Sequence, residues 1–521
     1  MHSHESGHAC VIRKDEYAAA RNEPANVSQR QRCELAERPA VARLVVDELG
    51  VNAPEVRVDS GVSDAGARLR VVELGAAWGV GGTEQAIELR AVLLDRQVFD
   101  VRVVTLFGGP RFDRLVERGV STVRLEGDIG RLERVLGQLD PHVVHYTRPE
   151  RKCRYSEAVQ AACLARRVPV VIETNVFGRP AGWPQARPPD ITAHMSFASM
   201  LRAARLADTT MQALFDAGHR AVYLPVPTPK GYGAEPSASR DETRARLGVK
   251  PGELLACRVT RPDLRKWSPR LEAALPALMA RVPELKLALM APPPQKRRLL
   301  ERRFGGRVLC LELESDIRRV QALYAASDLM LHSSGIGESF GLSMAEAMAA
   351  GLPVVVDSTP SLDNAQVELV EHGRTGFVVK SAAAFVEAVR ILAAEPERRR
   401  AMGLAAAARA GERFADHAVV ARWERLYLEA CARAGIVLSP ALAAFEKSLP
   451  PLAHAEEYRD FPAAYAVSCE NALGPAPSPV ELARTALTRA GDSVGYARQI
   501  GAGAVWRVIR SRLRSGTLRR D

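Results

Sequence analysis

The chain has 521 residues, of which 47% are hydrophobic, 26% charged and 5% aromatic, so it can fill two or more cores and is neither disordered nor fibrous. Its formal net charge of +11 suits nucleic acid, an anionic membrane surface or an anionic substrate as the partner. No apolar run reaches the roughly 18 to 20 residues of a membrane-spanning helix, and the first residues lack the pattern of a secretory signal. We therefore expect a cytoplasmic protein.

Residues 1–66 are polar and irregular, which predicts a flexible N-terminal extension outside the first core. From residue 68 onward, short β-rich runs alternate with segments of helical period. The predicted elements are strand 69–74, helix 83–94, strand 101–106, strand 142–145, helix 156–166 and strand 169–172. This alternation predicts a doubly wound parallel sheet.

A proline-marked connector at 223–229 separates this region from a second alternation. The predicted strands of the second region are 254–259, 286–290, 307–311, 329–332 and 353–356. We divide the chain into an N-terminal α/β domain (67–228), a C-terminal α/β domain (229–410), closing helices (411–434) and a C-terminal extension (435–521) whose role the sequence does not reveal.

The end of the chain is strongly basic, with nine arginines against two aspartates from Arg484 onward. Residues 504–514 have the pattern of a short basic amphipathic helix that would lie on an anionic membrane. The alternative is a solvated tail or a helix docked on the body. Nucleic acid is not expected, because no recognition module accompanies the arginines.

The segment 337–353 follows a predicted strand, opens with small residues and runs as a helix that stops at Gly351. The backbone N–H groups at its start point toward the cleft above the sheet, an arrangement that suits a phosphate. The residues that supply these groups are Ser339, Phe340, Gly341 and Leu342.

Two glutamates accompany this helix. Glu346 falls on the same side of the helix as apolar residues, so its carboxylate needs a partner, and vicinal sugar hydroxyls would provide one. Glu338, in the preceding loop, would meet another part of the same ligand. The alternative is that Glu346 reaches water and Glu338 complements the helix dipole.

Two further loops follow predicted strands. Arg261 and Lys266 come after the first strand of the second domain, where ligands bind in open α/β sheets, and their charges suit a diphosphate. Gly81 and Gly82 lie between the first strand and helix of the first domain and permit close approach of a ligand. This loop is not a G-x-G-x-x-G dinucleotide fingerprint, because position 84 is Glu84.

Taken together, these motifs resemble the family 4 type of retaining glycosyltransferases, which belong to the glycosyl transferases group 1. The resemblance covers about residues 68–432 and is carried by two glutamates separated by seven residues (Glu338, Glu346), by the spacing of Arg261 and Lys266, and by the diglycine loop. It implies the GT-B fold, in which two Rossmann-like, doubly wound parallel-sheet domains face each other across a cleft.

The resemblance also implies roles for these residues. Glu346 would bind the ribose of a nucleotide-diphosphate sugar, Glu338 the hydroxyls of the transferred sugar, and Arg261 and Lys266 the diphosphate. No Asp-x-Asp pair is present, so we expect no metal and no cofactor besides the donor substrate. His145, at the end of a predicted strand, is a candidate for the acceptor pocket, with a structural histidine as the alternative.

Two departures from the family concern the acceptor side. Residues 173–178 lack a histidine that many members carry there, and residues 225–227 replace the usual asparagine-glycine of the connector.

We therefore predict a retaining, metal-independent glycosyltransferase of polysaccharide or glycolipid biosynthesis. Its acceptor would be a saccharide or a lipid-linked molecule, and its basic tail would contact the inner face of the membrane. The alternatives are a sugar-nucleotide epimerase on the same fold and a catalytically idle sugar-binding protein. The nucleotide base, the sugar and the acceptor cannot be predicted.

Overall fold

The computed structural model describes residues 68–475 except 80, 149–153, 182–184 and 228–236. The predicted N-terminal extension and basic tail lie outside these residues. No helix in the described part of the chain is long and apolar enough to cross a membrane.

The first domain is built on a seven-stranded parallel sheet with the strand order β3-β2-β1-β4-β5-β6-β7. Its strands are β1 Leu69–Gly75, β2 Phe99–Thr105, β3 Ser121–Arg124, β4 Val143–Arg148, β5 Val170–Asn175, β6 Ile191–His194 and β7 His219–Ala221. Its helices are α1 Gly82–Leu93, α2 Pro110–Glu117, α3 Leu132–Leu139, α4 Arg154–Ala165, α5 Phe197–Leu206 and α6 Met211–Asp216. The strand order reverses between β1 and β4, so the loop from β1 to α1 opens at this switch point.

The second domain has a six-stranded parallel sheet with the order β10-β9-β8-β11-β13-β15. The strands are β8 Leu254–Arg258, β9 Leu285–Met290, β10 Val308–Leu311, β11 Leu329–His332, β13 Val354–Asp357 and β15 Gly376–Val379, beside a small parallel pair of β12 Gly337–Glu338 and β14 Asp363–Asn364. The helices are α7 Arg240–Arg246, α8 Pro269–Arg281, α9 Pro294–Phe304, α10 Ile317–Ala326, α11 Leu342–Ala349, α12 Gln366–Leu369, α13 Ala382–Ala394 and α14 Pro396–Arg413. The predicted α/β class with two parallel sheets is confirmed.

Buried apolar strands explain both sheets. Val71 of β1 is fully buried and pairs with strands on both sides, as expected for central strands covered by helices on each face. The sequence analysis missed four short strands of the two large sheets, namely β3, β6, β7 and β15, and the two-residue strands β12 and β14. Runs of three or four residues carry too little periodicity to be distinguished from loops.

Three helices follow the second sheet: α15 Asp416–Arg433, α16 Pro440–Ser448 and α17 Ala455–Glu470. Helix α15 returns to the first domain, where Glu424 accepts a hydrogen bond from the Asp95 backbone N–H at 2.8 Å. Helix α17 contacts both domains, because Tyr458 accepts from the Ala221 N–H at 3.1 Å and Tyr465 accepts from the Asn364 amide at 2.7 Å. Within the predicted C-terminal extension, helix α17 therefore joins the two domains.

Candidate functional site

A cleft of about 640 Å³ lies between the carboxyl ends of the two sheets. Its first-domain wall includes Gly82, Gln85, two arginines of α2 and Arg118 just after that helix, and its second-domain wall includes the loops after β8 and β11. Gly82 of the diglycine loop and the eight residues singled out in the second domain line this one cavity. The eight are Arg261, Lys266, Glu338, Ser339, Phe340, Gly341, Leu342 and Glu346. Gly81 caps the start of α1 beside them.

Lys266 and Glu338 form an ion pair at the floor of the second-domain wall. A short 3-10 turn, Leu264–Lys266, follows β8 and carries the lysine, whose Nζ lies 2.8 Å from each carboxylate oxygen of Glu338. Nε2 of His332, the last residue of β11, lies 3.1 Å from Glu338 Oε1. Burial alone would raise the pKa of Glu338, but Lys266 and His332 outweigh it and hold the pKa well below its usual range. The carboxylate is therefore ionised.

Glu346 is satisfied by neutral donors. Gln85 Nε2 donates to one carboxylate oxygen at 2.9 Å, and the Tyr324 hydroxyl donates to the other at 3.1 Å. Burial raises the pKa of Glu346, and these hydrogen bonds oppose the rise. The carboxylate that was expected to need a partner thus has two within the protein, one on α1 and one on α10.

Helix α11 begins beside these glutamates. Gly341 precedes its first turn with φ of +99°, a left-handed conformation that favours glycine. The Phe340 side chain is 1% exposed and packs against Tyr223 and Phe414, so it offers the cleft little more than its backbone. The start of α11 therefore contributes mainly main-chain atoms to the wall of the cleft at Phe340, and its role as a phosphate site stays a prediction.

The diglycine loop meets the second domain across the cleft. A Cβ atom placed on Gly81 would lie 3.4 Å from a guanidinium nitrogen of Arg261, and one on Gly82 would lie 3.4 Å from Leu342 Cδ2. A Cβ on Gly81 would also clash with Glu84, at 2.2 Å from its carboxylate. The 3.4 Å separations are ordinary van der Waals contacts, so this loop touches the second domain, whereas the atom that a Cβ on Gly81 would displace belongs to the Glu84 side chain of the same domain.

His145 does not reach the cleft. Strand β4 continues to Arg148, three residues beyond the predicted end, so His145 lies inside the strand rather than at its end. Its side chain is fully buried, with Nδ1 2.8 Å from the Tyr427 hydroxyl and Nε2 2.7 Å from Thr174 Oγ1. The Trp423 ring of α15 covers it at 4.8 Å between centroids. The candidate role of His145 in an acceptor pocket is therefore not supported by its position.

Sequence reasoning missed three residues that contact the two glutamates: His332, Gln85 and Tyr324. His332 had a signal, since it ends a predicted strand of the second domain. Gln85 had a weaker one, as it lies one turn after Gly82 on a helix that opens at the cleft. Nothing in the local sequence distinguishes Tyr324. Among the residues that the structure describes, no three acidic, histidine or cysteine side chains cluster as metal ligands would.

A model of the family described as glycosyl transferases group 1 matches residues 257–395, which contain the end of β8, the Lys266 turn and α11. HepE of Anabaena, solved with UDP-glucose, superposes over 70% of this chain and 100% of its own with a TM-score of 0.55 at 18% identity. The catalytic domain of starch synthase IV from Arabidopsis thaliana, bound to ADP and acarbose, superposes over 70% and 100% with a TM-score of 0.53 at 14% identity. The fold is GT-B. At these identities, the likeness extends to the fold alone.

Curated relatives of this GT-B chain match it over shorter stretches. D-inositol 3-phosphate glycosyltransferase of Nocardia farcinica is 33% identical over 33% of this chain and 40% of its own length. The GDP-mannose-dependent alpha-(1-6)-phosphatidylinositol dimannoside mannosyltransferase of Mycobacterium tuberculosis is 29% identical over 29% and 38%. Trehalose synthase of Pyrococcus horikoshii is 36% identical over 22% and 25%. The chain thus spans between a quarter and two fifths of these relatives.

Proposed function

We propose that this protein is a glycosyltransferase that takes its sugar from a nucleotide-diphosphate donor. The observation that carries the proposal is the meeting of Arg261, Lys266, Glu338, Glu346 and the start of α11 in one interdomain cleft. The matching family model and the names of the relatives support the same activity.

Glu346 is assigned to the ribose of the donor. Its two oxygens accept one donor each from Gln85 and Tyr324, the pattern that two vicinal hydroxyls would reproduce. Glu338 is assigned to the hydroxyls of the transferred sugar. Because Lys266 and His332 keep it ionised, it accepts hydrogen bonds without a change of protonation.

Arg261, Lys266 and the amides at the start of α11 are assigned to the diphosphate. When the bond between the anomeric carbon and the phosphate oxygen breaks, the electron pair leaves with the diphosphate and the sugar becomes oxocarbenium-like. Fixed cations and amides hold the diphosphate more tightly as its charge grows, which stabilises the transition state. This assignment needs no metal ion.

We further propose that transfer retains the anomeric configuration. The acceptor oxygen bonds to the anomeric carbon on the face that the diphosphate leaves, and a diphosphate oxygen takes the acceptor proton. The assignment uses no side-chain nucleophile.

The acceptor is proposed to be a saccharide or a lipid-linked molecule, in line with the phosphatidylinositol dimannoside named for the mycobacterial relative. Contact of the basic tail with the cytoplasmic face of the membrane belongs to the same proposal. Co-sedimentation with anionic vesicles tests it: the full chain should pellet more than a chain that ends at residue 479, and equal pelleting would contradict the contact.

A donor panel tests the function. UDP-, GDP- and ADP-sugars are incubated with the full chain, with and without saccharide and lipid-linked acceptors, and released nucleoside diphosphate is measured. Transfer is supported if the release of nucleoside diphosphate requires an acceptor and exceeds the slow rate of donor hydrolysis. Isomerised donor without an acceptor would instead identify an epimerase, and donor binding without turnover in any arm would identify an idle sugar-binding protein.

A further inference from the structure

We propose that Gln85 is an internal competitor of the donor. Its amide is bonded to Glu346 while no nucleotide is bound and must leave when the nucleotide binds. The proposal rests on the assignment of Glu346 to the ribose. It adds a first-domain residue that sets how tightly the second domain binds its donor.

The orientation of the Gln85 amide follows from its two partners. Arg111 donates to Gln85 Oε1 at 2.8 Å, and a guanidinium has only donors. The Gln85 amide nitrogen must therefore face Glu346, whose oxygen lies 2.9 Å away. Arg111 in turn donates to Glu88 at 2.6 Å, and Glu88 is fully buried. A chain of three side chains thus holds the amide on the carboxylate.

The bond crosses the cleft between the two domains. Gln85 lies on α1 of the first domain and Glu346 on α11 of the second, 261 residues apart in the chain. The other partner of Glu346, Tyr324, lies in the second domain and moves with it. Separation of the domains removes Gln85 from Glu346 but leaves Tyr324 in place, so Gln85 is the partner that domain motion can exchange for a ribose hydroxyl.

If Gln85 competes with the donor, its removal changes the affinity for the nucleotide in a definite direction. While Gln85 covers Glu346, only the fraction of molecules in which the bond is broken binds a ribose there, and the apparent dissociation constant rises by the inverse of that fraction. Removal of the amide should therefore tighten nucleotide binding. Because hydrogen bonds to charged groups are stronger than those between neutral groups, we expect binding to tighten by about tenfold or more.

The opposite sign would reveal a different role. Each carboxylate oxygen can accept more than one hydrogen bond, so Gln85 would be able to stay in place while the ribose binds. In that arrangement Gln85 orients Glu346 for the ligand, and its loss would weaken binding.

The experiment titrates UDP, GDP and ADP into the full chain by calorimetry. Gln85→Met keeps the volume of the side chain and removes both hydrogen bonds, while Arg111 keeps Glu88; Gln85→Ala is the second variant. Gln138→Met, at an exposed position of α3, is the matched control. Glu346→Gln tests the ribose assignment itself, and thermal melting confirms that each variant is folded.

We expect Gln85→Met and Gln85→Ala to bind the preferred nucleotide about tenfold more tightly than wild type, with Gln138→Met unchanged and Glu346→Gln weaker. Equal or weaker binding by both Gln85 variants, with Glu346→Gln still weaker than wild type, overturns the competitor and leaves the proposed function intact. Absence of binding to wild type and both Gln85 variants overturns the proposed function, and the competitor with it.

Discussion

Each domain contains a buried glutamate held by one cation and one histidine, and the two clusters differ in what covers them. In the first domain, Glu73 bonds to Arg90 at 2.8 and 2.9 Å, and His145 Nδ1 lies 3.2 Å away. In the second domain, Glu338 is held in the same way by Lys266 and His332. The same three kinds of side chain thus recur.

The two clusters have different roles because different parts of the molecule lie over them. Tyr427 of α15 donates to Glu73 at 2.7 Å and closes the first cluster, whose glutamate and arginine side chains are 1% and 2% exposed. The second cluster opens into the cleft, with its glutamate and lysine 10% and 17% exposed. Residue type and pairing therefore do not identify a binding site. Access to a ligand does, and the closing helix removes it from the first cluster.

Loss of the Arg90 cation should have the largest effect on stability. Arg90→Met leaves the buried Glu73 carboxylate without its cation, which costs about 3 to 5 kcal/mol of unfolding free energy. The double variant Glu73→Gln/Arg90→Met should recover most of that loss, and Arg134→Met, on an exposed helix position, should lose little. Urea unfolding measures all three. Wild-type stability of the Arg90→Met protein would show that Arg90 does not compensate the buried charge of Glu73.

Lys266→Ala should instead affect turnover. Loss of one preorganised group at a developing charge typically costs about 3 to 4 kcal/mol of activation free energy, or two to three decades in kcat. We expect kcat to fall by that amount, with a smaller change in donor affinity. Steady-state kinetics, with exposed Lys250→Ala as the control, measures the change. Wild-type turnover in Lys266→Ala would remove Lys266 from the mechanism.

The two histidines give the sharpest contrast. His332→Leu removes a hydrogen bond to an ionised carboxylate, and we expect kcat to fall by about tenfold. His332→Gln can still donate from a similar position and should restore most of the activity. His145→Leu should lower the melting temperature with kcat per folded molecule near wild type. If His145→Leu lost as much turnover as His332→Leu, the first cluster would belong to the active site.

Glu424, on the helix that covers the first cluster, should give an effect that is visible only as a pH dependence of stability. Burial raises the pKa of Glu424 from 4.5 to about 7. The native chain then keeps a proton that the unfolded chain releases near pH 4.5, so stability falls as the pH rises from about 4.5 to 7. Glu424→Gln should flatten that slope in thermal melts. An unchanged slope would show that Glu424 is not the group responsible.

The pKa shifts of the carboxylates in the two clusters have the opposite sign to that of Glu424. The pKa values of Glu73 and Glu338 are both lowered, because their cations outweigh burial. Their stabilisation is present above the normal glutamate range and is lost as the pH falls below it.

Sequence reasoning succeeded where the signal was local. The short segment from Glu338 to Gly351 contains both glutamates, and its pattern indicates a helix and the two ends of that helix. Arg261 and Lys266 lie in a single loop. The alternation of short strands and helices was enough to predict both sheets.

The rest of the site depends on contacts between distant segments. The bond between Gln85 and Glu346 joins residues 261 positions apart, and a single sequence carries no sign of that pairing. His145 was misplaced because β4 runs three residues further than its apolar core indicated and because α15 covers it. Long-range packing, rather than local pattern, decides which polar residues face the cleft.

A crystal structure of the full chain soaked with its preferred nucleotide-diphosphate sugar tests the central claim most directly. We expect the ribose hydroxyls on Glu346, the diphosphate against Arg261, Lys266 and the start of α11, and the sugar beside Glu338. A donor bound elsewhere, or bound in the cleft with its diphosphate remote from Arg261 and Lys266, would contradict the account.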